Sequence, residues 1–138
     1  MPDRVSVVVV AHNHGHVLAD CIRSLERAAT GVPFRLLLVD NASSDGTADL
    51  LRGELLSRDG ATTTGGLPCV LLTSDRNLGF AGGNNLALEL ALRDGDDVVY
   101  LLNPDTEVDP GFLAEALAVV HGDATIGIVQ SLLLRHPE

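Results

Sequence analysis

Five apolar runs mark the chain, the first "VSVVVVA" at Val5–Ala11 and the others at residues 34–39, 69–73, 98–103 and 126–131. Their hydrophobicity is nearly continuous rather than alternating, the pattern of strands covered on both faces of a parallel sheet. Between them the apolar positions change to helical spacing. Val17, Leu18, Cys21, Ile22, Leu25 and Ala29 form one stripe, and Ala48, Leu51, Leu55 and Leu56 a second. Leu86, Leu90 and Ala91 begin a third; Phe112, Leu113, Ala116, Leu117 and Val120 make a fourth. The last carries explicit punctuation, with Asp109 expected as N-cap, Pro110 at the first helical position and Gly122 just past the end. Ser43 or Ser44 is the expected cap of the second helix. The alternation predicts a Rossmann-like α/β domain, with a mainly parallel sheet and helices on both faces.

One domain accounts for residues 1–138. A chain of this length buries about 70% of its unfolded surface and does not need disulfides. Cys21 and Cys69 fall on apolar faces and read as buried thiols of a reducing compartment. Residues 59–68, "DGATTTGGLP", read as a flexible surface loop. No secretory signal opens the chain and no apolar stretch reaches membrane-spanning length, so a cytoplasmic protein is expected, with peripheral contact at the inner membrane face left open.

Charge narrows the chemistry. The formal net charge is −10, and all nine basic residues are arginine. Without lysine there is no P-loop cation and no Schiff base, and scattered arginines on an acidic protein make a poor nucleic-acid surface. Such a chain holds a phosphate only through a cation or backbone amides.

In an open parallel sheet the ligand crevice lies beyond the carboxyl ends of the strands. The segments there are "AHNHGH", "DNASSDGT", "SDRNLGFAGGNN" and "PDTEVD". No G-x-G-x-x-G follows the first strand, which argues against a dinucleotide site, and a response-regulator reading lacks its acidic pair and its lysine. Asp40 and Asp105 each stand where turn residues are common, so turn punctuation and ligand binding both account for them. The glycines of "GFAGGNN" serve a tight turn or a close approach to an anion. His12, His14 and His16 lack the four convergent ligands that zinc requires and read as solvated loop residues. Glu107 and Asp109 read as acids near the positive end of a helix.

The ordered set "VSVVVVAHN", "LLLVDNASSDGT", "NLGFAGGNN" and "LLNPDTEVDPGFL" resembles the donor-binding half of a family 2 glycosyltransferase of the GT-A fold, closest to the rhamnosyltransferase-like branch, over residues 5–130. The resemblance implies a nucleotide diphosphate sugar, dTDP- or UDP-linked, as donor and a cell-envelope glycan or lipid-linked acceptor. It implies that Asp40 accepts the imide proton of the base, that Val10 and His12 line the base, and that Asn77, Gly79, Gly83 and Asn84 stand beside nucleotide and sugar. Asp105 matches the last carboxylate of a D-x-D-type motif and is the expected ligand of Mg²⁺ or Mn²⁺. Asn103 and Pro104 replace the earlier motif positions, so a single carboxylate remains. Family members invert the anomeric carbon with the help of a carboxylate base, and their catalytic domains run on for roughly another hundred residues, beyond ordinary variation in domain size. No residue here is assigned as that base. A truncated enzyme is expected; the alternative is a non-catalytic nucleotide-sugar-binding or assembly module, with a homodimer possible in either case.

Overall fold

Val7, Val8 and Val9 have no solvent-accessible surface, as a strand in the middle of a covered sheet requires. The computed structural model describes residues 3–135. The strands are β1 (Val5–Ala11), β2 (Arg35–Asn41), β3 (Cys69–Ser74) and β4 (Val98–Leu102). They form one sheet in the order β3-β2-β1-β4, and all three pairings are parallel. The helices are α1 (Gly15–Ala28), the short α2 (Thr47–Leu50) with a π-helical turn Leu51–Leu55, α3 (Gly79–Asp94) and α4 (Phe112–Gly122).

Strand alternation assigns the two cores. Val7, Val9, Leu36 and Leu38 pack with Leu18, Ile22 and Leu25 of α1, Leu51 of the π turn, and Phe112 and Leu117 of α4. Val8, Val10, Leu37 and Val39 meet Ala87 and Ala91 of α3 on the opposite face. Phe112 ties α4 to the sheet, edge-on to Phe34 and Tyr100 with ring centroids 6.2 and 5.0 Å away. At the amino-terminal edge, Arg35 bonds Asp94, Asp96 and the Ser6 hydroxyl, each at 2.8 Å. That cluster joins β1, β2 and the connection from α3 to β4. Arg35 therefore holds the Asp94 carboxyl below its usual range.

Several sequence expectations are corrected. Residues 126–131 form no strand: Ile128 is 92% exposed, and the segment touches β4 through a 2.7 Å hydrogen bond from the Tyr100 hydroxyl to Ser131. An apolar run becomes a strand only where it meets a sheet edge in register, and this run makes no ladder with β4. Residues 59–68 are tied down rather than loose. Thr63 and Leu67 are buried, and single antiparallel bridges join Leu56 to Thr63 and Thr62 to Pro68.

The caps also differ. Helix α4 starts at Phe112 behind Gly111, so the observed cap is two residues past the expected Asp109, which accepts the Gly111 N–H at 2.9 Å. Gly122 closes the helix as its last residue. Glu107 lies 3.9 Å from Arg27 of α1. Helix α2 begins behind Gly46 (φ 91°), with Asp45 accepting the Thr47 N–H at 3.0 Å. Ser43 is engaged elsewhere, its hydroxyl accepting the Asn13 N–H at 3.1 Å.

Candidate functional site

The order β3-β2-β1-β4 reverses direction between β1 and β4, so the connections leaving those two strands diverge and open a crevice at their carboxyl ends. A cleft of about 350 Å³ lies there. Val10, His12 and His14 come from β1 and the loop after it, and Asn41 from β2. Asn77, Gly79, Phe80 and Asn84 belong to the start of α3, and Leu102, Asn103, Pro104 and Asp105 to the end of β4. Among the described residues no arginine lines the cleft.

Of the eight residues expected from the sequence, Val10, His12, Asn77, Gly79, Asn84 and Asp105 line the cleft. Asp40 and Gly83 do not. Asp40 shares strand parity with Leu36 and Leu38, on the side of the sheet away from α3, and accepts the Ser43 N–H at 3.1 Å while only 6% exposed. Gly83 sits beneath the cleft, where a Cβ would stand 2.6 Å from Val10 Cγ1 and 3.2 Å from Asn41 Nδ2. It lets α3 rest directly on the sheet.

Asn41 is the residue that sequence reasoning passed over. It follows Leu37 and Val39 in strand alternation and so faces α3. Its Oδ1 accepts the Leu78 N–H at 2.9 Å, and its Nδ2 donates to Asn77 Oδ1 and to the Gly79 carbonyl, both at 3.1 Å. One buried amide thus fixes the entry to α3. Gly79 takes φ 74°, a left-handed conformation suited to glycine. Counting alternate positions from Val8 and Leu37 would have found Asn41.

The two histidines differ in tautomer. His12 Nδ1 lies 2.8 Å from the Asn41 carbonyl, which can only accept, so Nδ1 carries the proton and Nε2 is left as an acceptor. His14 Nδ1 accepts the His12 N–H at 2.9 Å, so its proton sits on Nε2. Two residues in left-handed conformation, Asn13 (φ 56°) and Ala42 (φ 58°), hold the adjoining loops in this arrangement. Asn13 Oδ1 accepts the Ser44 N–H at 2.7 Å and joins the two loops directly.

Asp105 is exposed at the cleft margin, and its carboxylate has no hydrogen bond or ion pair with the described residues. Its charge is felt by Cys21. Burial first, and then Asp105 and Glu107, push that thiol up to about 12. Among the described residues no group of three or more His, Cys, Asp or Glu could hold a metal by itself. The donor set suits a cation that brings most of its own oxygen ligands, as one bound to a diphosphate does. His16 is exposed and does not line the cleft. Among the described residues, no helix is long and apolar enough to cross a membrane.

Residues 6–135 match the family described as Glycosyl transferase family 2. The chain is similar to the galactofuranosyltransferase GlfT1 of Mycobacterium tuberculosis strains CDC 1551 / Oshkosh and H37Rv, at 38% identity over 119 residues, 86% of this chain and 36% of the relative. It therefore spans little more than a third of those relatives' length. Among solved structures it resembles the mannosyltransferase PcManGT from Pyrobaculum calidifontis in complex with GDP-Man and Mn²⁺, with TM-score 0.75 and 24% identity over 92% of this chain and 34% of that one. It also resembles S. aureus TarS residues 1–349 in complex with UDP, with TM-score 0.67 and 21% identity over 86% of this chain and 32% of that one. These two likenesses show the fold.

Proposed function

The chain belongs to glycosyl transferase family 2, and on that premise we propose that it binds a nucleotide diphosphate sugar in the cleft between β1 and β4, as the donor-binding part of an inverting sugar transferase. The observation that carries this reading is the composition of the cleft. It has asparagines and two histidines of opposite tautomer, no arginine, and one unpaired carboxylate, at the switch point of a parallel sheet. Neighbours of the same fold hold GDP-Man with Mn²⁺ in one case and UDP in another.

Asp105 would be the protein's ligand to Mg²⁺ or Mn²⁺, and Asn103 would lie beside it. When bound, that cation supplies charge neutralisation on the departing diphosphate. The chain's own residues do the rest: Asn41 orients the start of α3 through the Leu78 amide and the Gly79 carbonyl, and the first-turn amides beyond Gly79, whose own N–H is on Asn77 Oδ1, would serve an anion there. Val10 and His12 would line the base. Asp40, turned away from the cleft, would act through the Ser43 loop rather than on the base directly. The rhamnosyltransferase-like branch favours a dTDP- or UDP-linked donor, and the acceptor class is a cell-envelope glycan or lipid-linked hydroxyl reached at the cytoplasmic membrane face.

Calorimetric titration with UDP, dTDP, GDP and CDP, each with Mn²⁺ and with EDTA, tests the reading. At least one nucleotide should bind with Mn²⁺ and weaken in EDTA, and Asp105→Asn should remove most of that metal response. Binding to none of the four, or binding indifferent to both EDTA and the substitution, would refute it.

A further inference from the structure

The polar side chains of the cleft differ in how far they are already committed, the exposed Asn77 and Asn103 least, with no bond from either Nδ2 among the described residues. Asn41 has both Nδ2 bonds in use, on Asn77 Oδ1 and the Gly79 carbonyl. His12 has its ring N–H on the Asn41 carbonyl, which leaves an acceptor. Asn84 Nδ2 donates to the Phe80 carbonyl at 2.9 Å. Asp105 only accepts. Among the histidines lining the cleft, His14 alone retains a ring N–H without a partner among the described residues, on Nε2. His14 is also the N-cap residue of the fourteen-residue α1, with the Val17 and Leu18 amides bonded to its carbonyl at 3.0 Å. The positive end of α1 therefore lies at its backbone.

We infer that His14 has two separate tasks, and the inference rests on the proposed function above: Nδ1 fixes the loop after β1, and Nε2–H donates to a phosphate oxygen of the bound nucleotide diphosphate. In a cleft without arginine, in a chain without lysine, a ring N–H adds a side-chain contact to those of the cation and the backbone amides, and His14 offers it from a ring already held in place, whereas Asn77 and Asn103 are exposed. The opposite tautomers of His12 and His14 sort the two rings, one accepting and one donating, before any ligand arrives.

The two nitrogens can be separated by substitution. In His14→Asn the short amide oxygen takes the place of Nδ1 and keeps the bond from the His12 amide, but nothing reaches the Nε2 position. In His14→Gln the longer amide restores a donor near Nε2 and loses the loop bond. The measurement is the ratio of affinities for UDP and uridine with Mn²⁺, or for GDP and guanosine if the nucleotide panel selects the purine.

His14→Asn should lower diphosphate affinity about ten- to a hundredfold, as for one hydrogen bond to a charged oxygen, with nucleoside affinity unchanged within about twofold. His14→Gln should keep the ratio close to that of the parent. Thermal unfolding of both variants checks that the fold persists. A His14→Asn protein whose ratio matches the parent overturns the assignment while leaving the donor-site reading intact; a parent protein that binds no nucleotide overturns both.

Discussion

Gly83→Ala should destabilise this protein, although glycine to alanine inside a helix ordinarily stabilises. In a helix interior the exchange gains about 0.8–1.0 kcal/mol. At Gly83 the new Cβ would lie 2.6 Å from Val10 Cγ1, whereas carbon atoms in contact prefer about 3.5–4.0 Å. Helix α3 must then lift from the sheet by about 1 Å, or Val10 must turn. Val10 is β-branched and stiff at χ1, and it stands on the strand paired on both sides, by β2 and β4. Overpacking of this kind costs about 1–3 kcal/mol. The net is a loss of roughly 0–2 kcal/mol, centred near 1, in place of a gain of similar size. Urea unfolding followed by circular dichroism measures it. Gly53→Ala is the control, because its methyl enters open space and should show the ordinary stabilising sign. In a Val10→Ala background most of the penalty of Gly83→Ala should be lost, with only the 3.2 Å approach to Asn41 Nδ2 remaining, and the coupling energy should be about 1–3 kcal/mol. A Gly83→Ala protein that gains stability in the parent background, or an unchanged penalty beside Ala at position 10, would show that α3 does not rest on β1 through this contact.

Two further predictions concern parts of the fold away from the cleft. Arg35→Met should cost about 1.5–3 kcal/mol in urea unfolding, because the Asp96 carboxylate, its side chain 2% exposed, loses its close charged hydrogen bond and keeps the Ser6 hydroxyl and Arg4 at 3.9 Å, yet nucleotide affinity should be unchanged since the cluster is at the opposite end of the strands. The same pairing lowers the Asp94 pKa from 3.8, so its stabilisation is present above that value and is lost as pH falls through the lower folded value. Cys21 and Cys69 are both raised from 9.0 to about 12, mainly by burial. The folded state holds these protons after the unfolded chain has released them, so stability should be full below pH 9 and fall by about 1.4 kcal/mol per pH unit per thiol as pH rises from there toward 12. Flat stability across that range, or rapid labelling of either thiol by a disulfide reagent in the native protein at pH 8, would contradict the burial.

The four strands were legible because runs such as "VSVVVVA" and "RLLLVDN" carry their burial in composition alone. Residues 126–131 carry the same kind of signal and form no strand, because an apolar run does not specify which edge receives it. The loop at residues 59–68 was misread for the opposite reason. Its turn chemistry was visible, but the burial of Thr63 and Leu67 depends on partners distant along the chain, including Glu26, which accepts the Gly65 N–H at 2.9 Å. At the site, the polar ends of the strands were identifiable, whereas the choice between the adjacent Asp40 and Asn41 turns on which side of the sheet each faces. That parity was available in the strand pattern. The tautomers of His12 and His14 were not, since they follow from where the Asn41 carbonyl and the His12 amide come to lie.

The claim that a nucleotide diphosphate occupies the cleft between β1 and β4 is tested most directly by amide chemical shifts of ¹⁵N-labelled protein titrated with UDP or GDP and Mg²⁺. The predicted result is saturable perturbation at Val10, His12, His14, Asn41, Gly79, Asn84 and Asp105, with Glu26, Thr30, Gly65 and Leu67, which line a second cleft of about 330 Å³ near the start of β2, unmoved. Perturbation confined to that second cleft, or no saturable perturbation with any nucleotide diphosphate, would contradict the account.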